Sequence, residues 1–224
     1  MCAIFGSFDK EKFEELATAN QYRGDYSWSV TQFVTGAFKH YKDGETVFSS
    51  RMRKSLGEFP RITWDRDYFK EYDSTLYKTY WLGHVQAPTT QSKDMHPSCI
   101  RQDMLWHNGI IKEYQIKEWQ DGYGGLSWDT ELLHRHILLG GYLDDVDGTF
   151  SCARYDGEQV TLFRNEISPL FYDGDLNISS VQFNESWWET EAGVNYKMDF
   201  HNKVLEPLNR FETKENPYWF GEIE

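Results

Sequence analysis

Long apolar runs are missing from this chain of 224 residues. None approaches the ~20 residues that a helix needs to cross a bilayer, so no membrane span is expected. No basic segment followed by an apolar one opens the chain, so no secretory signal is read there. Cysteine is scarce: Cys2, Cys99 and Cys152 are too few and too far apart for a disulfide framework. Positive charge is also short, with 23 Lys and Arg against 36 Asp and Glu, a net of −13. Such a chain repels phosphate backbones, which excludes broad nucleic-acid binding. Internal repeats and linkers rich in proline, glycine or serine are absent, which favours one domain with a tail. These absences together point to a cytoplasmic protein.

Aromatic residues are plentiful. Nine Trp, 14 Tyr and 15 Phe supply a sizeable core, since each large ring buries roughly 150–250 Å². The opening stretch Met1-Cys2-Ala3-Ile4-Phe5-Gly6 places a thiol directly behind the initiator Met. If Met1 is removed, Cys2 carries both a thiol and a free α-amine. That amine has a pKa near 8, so part of it is an unprotonated base at neutral pH and can activate the thiol beside it. Ala3-Ile4-Phe5 reads as a short buried strand on which such a nucleophile would be mounted.

The remaining pattern is strands, then helices, then strands. Asp9 caps a helix with Phe13, Leu16 and Ala17 on one face. Residues 27–38 form a β-rich stretch broken at Thr35-Gly36, and 79–85 forms a buried strand. Met104-Leu105-Trp106 is a short strand ending at His107-Asn108-Gly109, where Asn-Gly is also a tight-turn signal. Residues 112–120 read as a weak helix and 121–125 as a loop. A second helix starts at Ser127 or Asp129. Asp156-Gly157 and Asp173-Gly174 each join two short strands as a hairpin. From Glu185 onward periodicity is weak. The order implies an α+β fold with antiparallel sheets rather than parallel βαβ units. His84, His96 and His107 invite a metal reading, but their spacing is unlike a metal-ligand motif, and His134 and His136 do not share a helix face. No metal and no cofactor are therefore expected.

Several stretches in order resemble one family, the class II glutamine amidotransferases of the N-terminal nucleophile type. The likeness is to the glutaminase domain found in amidophosphoribosyltransferase and glucosamine-6-phosphate synthase. Met1-Cys2-Ala3-Ile4-Phe5-Gly6 resembles the family's start. Tyr22-Arg23-Gly24-Asp25 resembles its Arg-Gly-x-Asp segment, and Gly83-His84-Val85-Gln86-Ala87-Pro88-Thr89 its Gly-His-x-Arg-x-x-Thr segment. His107-Asn108-Gly109-Ile110-Ile111 matches the oxyanion segment, and Ser127-Trp128-Asp129-Thr130-Glu131 resembles Ser-Asp-Thr-Glu with one residue inserted. Asp147-Gly148-Thr149-Phe150 and the stretch from Arg164 to Leu170 are weaker echoes. The resemblance runs from residue 2 to about 180.

This resemblance implies a four-layer αββα sandwich over residues 2–200, followed by a C-terminal extension, 201–224, of uncertain role. It implies that Cys2 attacks the side-chain amide of glutamine or a γ-glutamyl amide, and that Asn108 and Gly109 hold the oxyanion. Asp129 takes the substrate's α-ammonium, Thr89 helps hold the ligand, and Arg23 supports the nucleophile's surroundings. The ammonia released would pass to a separate acceptor or synthase subunit. One position departs from the pattern: Gln86 stands where the family has an Arg that grips the substrate's α-carboxylate. Gln offers a neutral hydrogen bond in place of a charged fork. That departure opens a second expectation, a degenerate glutaminase fold serving as a binding or assembly protein.

Overall fold

The computed structural model describes residues 2–24, 26–34, 37–43, 79–87, 94–123 and 128–212. Three apolar clusters define its layers. The first strand, β1 (Ala3–Ser7), alternates between them. Ala3 and Phe5 face the helix α1 (Lys10–Asn20) and meet its Phe13, Leu16 and Ala17, while Ile4 faces the opposite way. That is the period-two alternation of a strand buried on both sides. Asp9 caps α1 as expected, its carboxylate accepting from Lys12 N at 2.8 Å.

Beside β1 lie β2 (Ser27–Val34), β3 (Ala37–Asp43) and β4 (Tyr80–Gln86). Short strands β9 (Phe171–Tyr172), β10 (Ile178–Ser179) and β11 (Trp188–Glu189) complete a seven-stranded sheet in the order β11-β9-β10-β1-β4-β2-β3. A second sheet, β13-β12-β8-β7-β6-β5, uses β5 (Ser98–Ile100), β6 (Asp103–Ile111), β7 (Gly148–Tyr155), β8 (Val160–Arg164), β12 (Val194–Asp199) and β13 (Val204–Arg210). All the pairings are antiparallel.

Ile4, Tyr80 and Leu82 of the first sheet pack against Met104, Trp106 and Leu162 of the second, forming the layer between them. On the far side of the second sheet, Leu105, Phe150 and Cys152 meet Trp119 of α2 (Glu113–Tyr123) and Leu132 and Leu133 of α3 (Asp129–Leu138). Helix, sheet, sheet and helices thus stack as the αββα sandwich that the sequence suggested. Among the described residues no helix is long and apolar enough to cross a membrane.

Four local expectations are corrected. Asn108-Gly109 is no turn: β6 runs straight through it to Ile111, paired with β7 from Met104↔Tyr155 to Ile111↔Gly148. Residues 121–123 belong to α2, where Tyr123 Oη pairs with His136 Nδ1 at 3.0 Å and so rewards the extra turn. The N-cap of α3 is Trp128, and Asp129 is the first helical residue. Asp173-Gly174 does join β9 to β10 as an antiparallel hairpin, but through the longer connection 173–177 rather than a tight turn, and in it Asp173 Oδ1 accepts from Asp175 N and Asn177 N at 3.0 Å each. The other hairpin signal holds: Gly157 has φ +102°, a conformation that suits glycine, between β7 and β8. The stretch set apart as an extension contributes β13, which pairs with β12 at the edge of the second sheet. Residues 44–78 and 213–224 lie outside the described residues.

Candidate active site

Along three neighbouring strands the layer between the sheets changes from apolar to polar. In β1 the inward position before Ile4 is Cys2. In β4 the inward row runs Tyr80, Leu82, His84, Gln86. In β6 it runs Met104, Trp106, Asn108. Strand alternation therefore delivers a thiol, an imidazole and two amides to one end of the core. All four side chains are buried.

Ser180 ties this end together. Its Oγ accepts from Ile4 N at 2.9 Å, and Asn108 Nδ2 approaches the same atom at 3.4 Å. Its own amide donates to Ile4 O at 2.8 Å. Asn108 is thereby fixed beside the start of β1, while its side-chain amide makes only that one long bond among the described residues. Next to it, a Cβ on Gly109 would come within 1.8 Å of Thr149 O, so only glycine fits the close passage of β6 past β7.

The Cys2 thiol is pushed up to about 11 by burial, against the hydrogen bond from the Ala87 amide. The nearby Asp129 carboxylate raises it further, and Arg23 lowers it. At pH 7 only ~1 in 10⁴ such thiols is ionised, so the thiol needs a base close by. Arg23, half-buried, donates Nε to Cys2 O at 3.0 Å and so holds the nucleophile's backbone.

Three histidines surround this point. His84 Nε2 lies 3.1 Å from His107 O, and because a carbonyl can only accept, the ring proton is on Nε2. Burial drives this imidazole down to about 3, so it stays neutral. It is therefore too weak a base for a thiol near 11. His96 stacks on His84, with centroids 3.8 Å apart, and meets Trp128 edge-on. Its Nδ1 accepts from His107 N at 3.3 Å. The His107 ring points the other way, to Thr149 O at 3.1 Å and Thr130 Oγ1 at 3.2 Å.

Asp129 sits at the start of α3, only 7% exposed. Its Oδ1 accepts from Thr130 N at 2.7 Å, a favourable place for an anion at a helix N-terminus. Among the described residues the nearest group that could carry positive charge is the His107 ring, Nδ1 to Oδ2 at 3.9 Å. Gln86 is occupied at both ends: Oε1 accepts from Ser27 Oγ at 2.6 Å, and Nε2 donates to Asp94 O at 3.1 Å. It braces β4 against β2. Thr89 lies outside the described residues.

The structure thus brings Cys2, Arg23, Gln86, Asn108 and Asp129 to one region. Sequence reasoning missed Ser180, whose hydroxyl, just past β10 and 176 residues away from Ile4, joins Asn108 to the backbone of β1. The Arg164 and Asn165 echo proves architectural. Arg164 holds Thr190 O through Nη2 at 2.5 Å, and Asn165 spans Gly148 O and Phe150 N.

This sandwich is the fold seen in solved glutamine amidotransferase structures. The glutamine phosphoribosylpyrophosphate amidotransferase from B. subtilis, solved with ADP and GMP, superposes with a TM-score of 0.63 at 16% identity over 95% of this chain. A structure described as the allosteric regulatory enzyme of purine biosynthesis gives 0.65 at 16% identity, also over 95%. This chain spans 50% of the length of each. A glutamine aminotransferase class-II domain protein from Silicibacter pomeroyi gives 0.51 at 15% identity, covering 92% of this chain and 98% of that one. No protein-family model and no curated protein matches the sequence.

Proposed function

We propose that this protein is a class II amidotransferase-type amidohydrolase that releases ammonia from the side-chain amide of glutamine or of a γ-glutamyl compound. The observation that carries the reading is the convergence of a buried thiol at residue 2, the Asn108 amide tethered beside it through Ser180, and the Asp129 carboxylate at a helix start. With Met1 retained, the nitrogen of Cys2 is an amide and takes no proton. Removal of Met1 supplies the base.

In the proposed reaction Cys2 Sγ attacks the amide carbon while its proton passes to the Cys2 α-amine. The oxyanion is held by Asn108 Nδ2 and Gly109 N–H, in a dry site where such donors count most. The tetrahedral intermediate collapses, the α-ammonium gives its proton to the departing nitrogen, and ammonia leaves. Water then cleaves the γ-glutamyl thioester to the free acid and the thiol. Asp129 receives the substrate's ammonium by a charge-assisted hydrogen bond. Because Gln86 already braces β4, the α-carboxylate, where the substrate has one, is held by another group. The ammonia passes to an acceptor on a separate polypeptide, and the protein works in the cytoplasm.

The test is intact-mass analysis of the purified chain after incubation with a glutamine-like diazo-ketone, alongside an ammonia assay with glutamine. Loss of Met1 and a single adduct on Cys2 are expected. An unprocessed, unlabelled chain that releases no ammonia would refute the reading.

Gln86 supports one other reading, a non-catalytic assembly protein built on the same fold. It predicts a stable complex with a larger partner that is indifferent to Cys2→Ala, and no ammonia from any glutamyl amide.

A further inference from the structure

We propose that Cys2, His84 and His96 form a binding site for one soft divalent metal ion, of which Zn²⁺ is the reference case, and that this ion occupies the nucleophile reversibly. The inhibitory half of this proposal rests on the function proposed above; the metal site itself does not.

The three side chains each offer one ligand atom, a thiol sulfur and two imidazole nitrogens, and these atoms all lie within 4.8 Å of one another. All three residues are buried. Thiolate and imidazole are the donors that Zn²⁺ prefers. The second observation is the state of His84. Its ring proton is on Nε2, which donates to His107 O, so its lone pair is on Nδ1. That nitrogen is buried without a hydrogen-bond partner. A ring whose remote nitrogen donates to a backbone carbonyl, leaving the near one bare, is arranged as metal-bound histidines are. His96 brings one imidazole nitrogen to the cluster, while its Nδ1 accepts a 3.3 Å hydrogen bond from His107 N.

Cys2 completes the set. The ion displaces the thiol proton, so one proton is released for each metal bound and no redox step is involved. Once Met1 is removed, the Cys2 α-amine and Sγ close a five-membered chelate, which gives a four-coordinate site of three nitrogens and one sulfur. Zn–N of about 2.0–2.1 Å and Zn–S of about 2.3 Å require the donor atoms to draw in to roughly 3.5 Å apart. The net charge of −13 favours cation entry. Sequence spacing concealed the site because its ligands come from the residue before β1, from β4 and from the loop before β5.

In that chelate the ion binds the α-amine that serves as base and stands where the substrate carbonyl must come, so occupancy and amide attack exclude each other. The full-length chain, stripped with a chelator, is titrated with ZnCl₂ against a chromophoric competitor, and separately with CoCl₂. One equivalent is expected to bind, with a thiolate-to-cobalt charge-transfer band. The band should be lost in Cys2→Ser, and affinity should fall at least about tenfold in His84→Asn and His96→Asn. If the histidine variants do not fold, the melting temperature decides: Zn²⁺ raises it for the wild type and leaves Cys2→Ser unmoved. No saturable uptake, or uptake undiminished in Cys2→Ser, overturns the proposal. Ammonia release by the stripped chain is read in parallel. Hydrolysis without metal uptake sinks only the metal site, whereas uptake without hydrolysis sinks only the amidohydrolase.

Discussion

His84 and His134 are both fully enclosed imidazoles, yet their surroundings differ. His134 is saturated: Nδ1 meets Ser98 Oγ at 3.0 Å and Nε2 meets Asp103 Oδ1 at 2.8 Å. Arg154 grips the same carboxylate with Nη2 to Oδ2 at 2.6 Å and Nε to Oδ1 at 3.0 Å. The composition, serine, histidine and aspartate, is that of a hydrolytic triad. Ser98 is buried, however, and Asp103 is shared with a guanidinium, so the network ties α3 and β7 to the β5–β6 hairpin. Around His84 the accounting is incomplete among the described residues: a bare ring nitrogen, an Asn108 amide with one long bond, and an Asp129 whose nearest basic group is the His107 ring at 3.9 Å. Buried polar groups are normally paired, and unpaired ones accumulate where a ligand or reaction will complete them. One end of the molecule pairs its buried polar groups with one another, and the other leaves several of them open.

The hardest blow to this contrast would be dealt at Cys2. Cys2→Ala should lower ammonia release by more than about 10³-fold while shifting the melting temperature little, since a small buried side chain is replaced by a smaller one. Residual turnover near wild type would move the chemistry elsewhere. Asp103→Ala should do the reverse. It leaves His134 and Arg154 without their carboxylate, a loss of roughly 3–5 kcal/mol in stability by denaturant titration, with turnover per folded molecule retained.

Acid should separate the two ends further. Burial raises Asp103, but the hydrogen bonds from His134 and Arg154 outweigh it and hold the carboxyl below its usual value. Its stabilising contribution is therefore complete above the unfolded carboxylate pKa of about 3.9, and is lost as pH falls through the lower folded value. Thermal melts of Asp103→Asn should show a shallower decline than wild type below about pH 4. Identical slopes would mean that the pair contributes nothing.

Asn108→Ala, at the other end, should cost about 10²–10³ in kcat with a small effect on KM, as expected for a donor used mainly in the transition state. A change confined to KM would make Asn108 a substrate contact instead.

How much of this was legible beforehand depended on whether the signal was local. Asp9 and the apolar face of α1 are adjacent in sequence, and both were readable. So was the Asp156-Gly157 turn, whose glycine carries the positive φ. Asn108-Gly109 misled as a turn because the same dipeptide serves a second physical need, a backbone passage too close for any Cβ. The strands β12 and β13 escaped notice for a different reason. β13 is an edge strand exposed along most of its length, and β12 is interrupted by a register shift between Val194 and Tyr196, so neither carries a clean two-residue period. The candidate site residues were picked out by motif, but their supports were not. Ser180, His96 and Thr130 act through contacts spanning tens of residues, which no local pattern encodes.

The gentlest test concerns Asp129, where the two ends of the molecule share a residue type but not its use. Asp103 is neutralised by its neighbours, while Asp129 is expected to be neutralised by the substrate. Asp129→Asn keeps the acceptor for Thr130 N and removes only the charge. KM for glutamine should rise about tenfold or more, the worth of a charge-assisted over a neutral hydrogen bond, with kcat little changed. An amide substrate lacking the α-ammonium should discriminate much less between the variant and the wild type, because the charge has nothing to meet. Were both substrates weakened alike, Asp129 would be acting on the site's shape, through Thr130 and His107, and the contrast between a closed and an open carboxylate would fail at its clearest point.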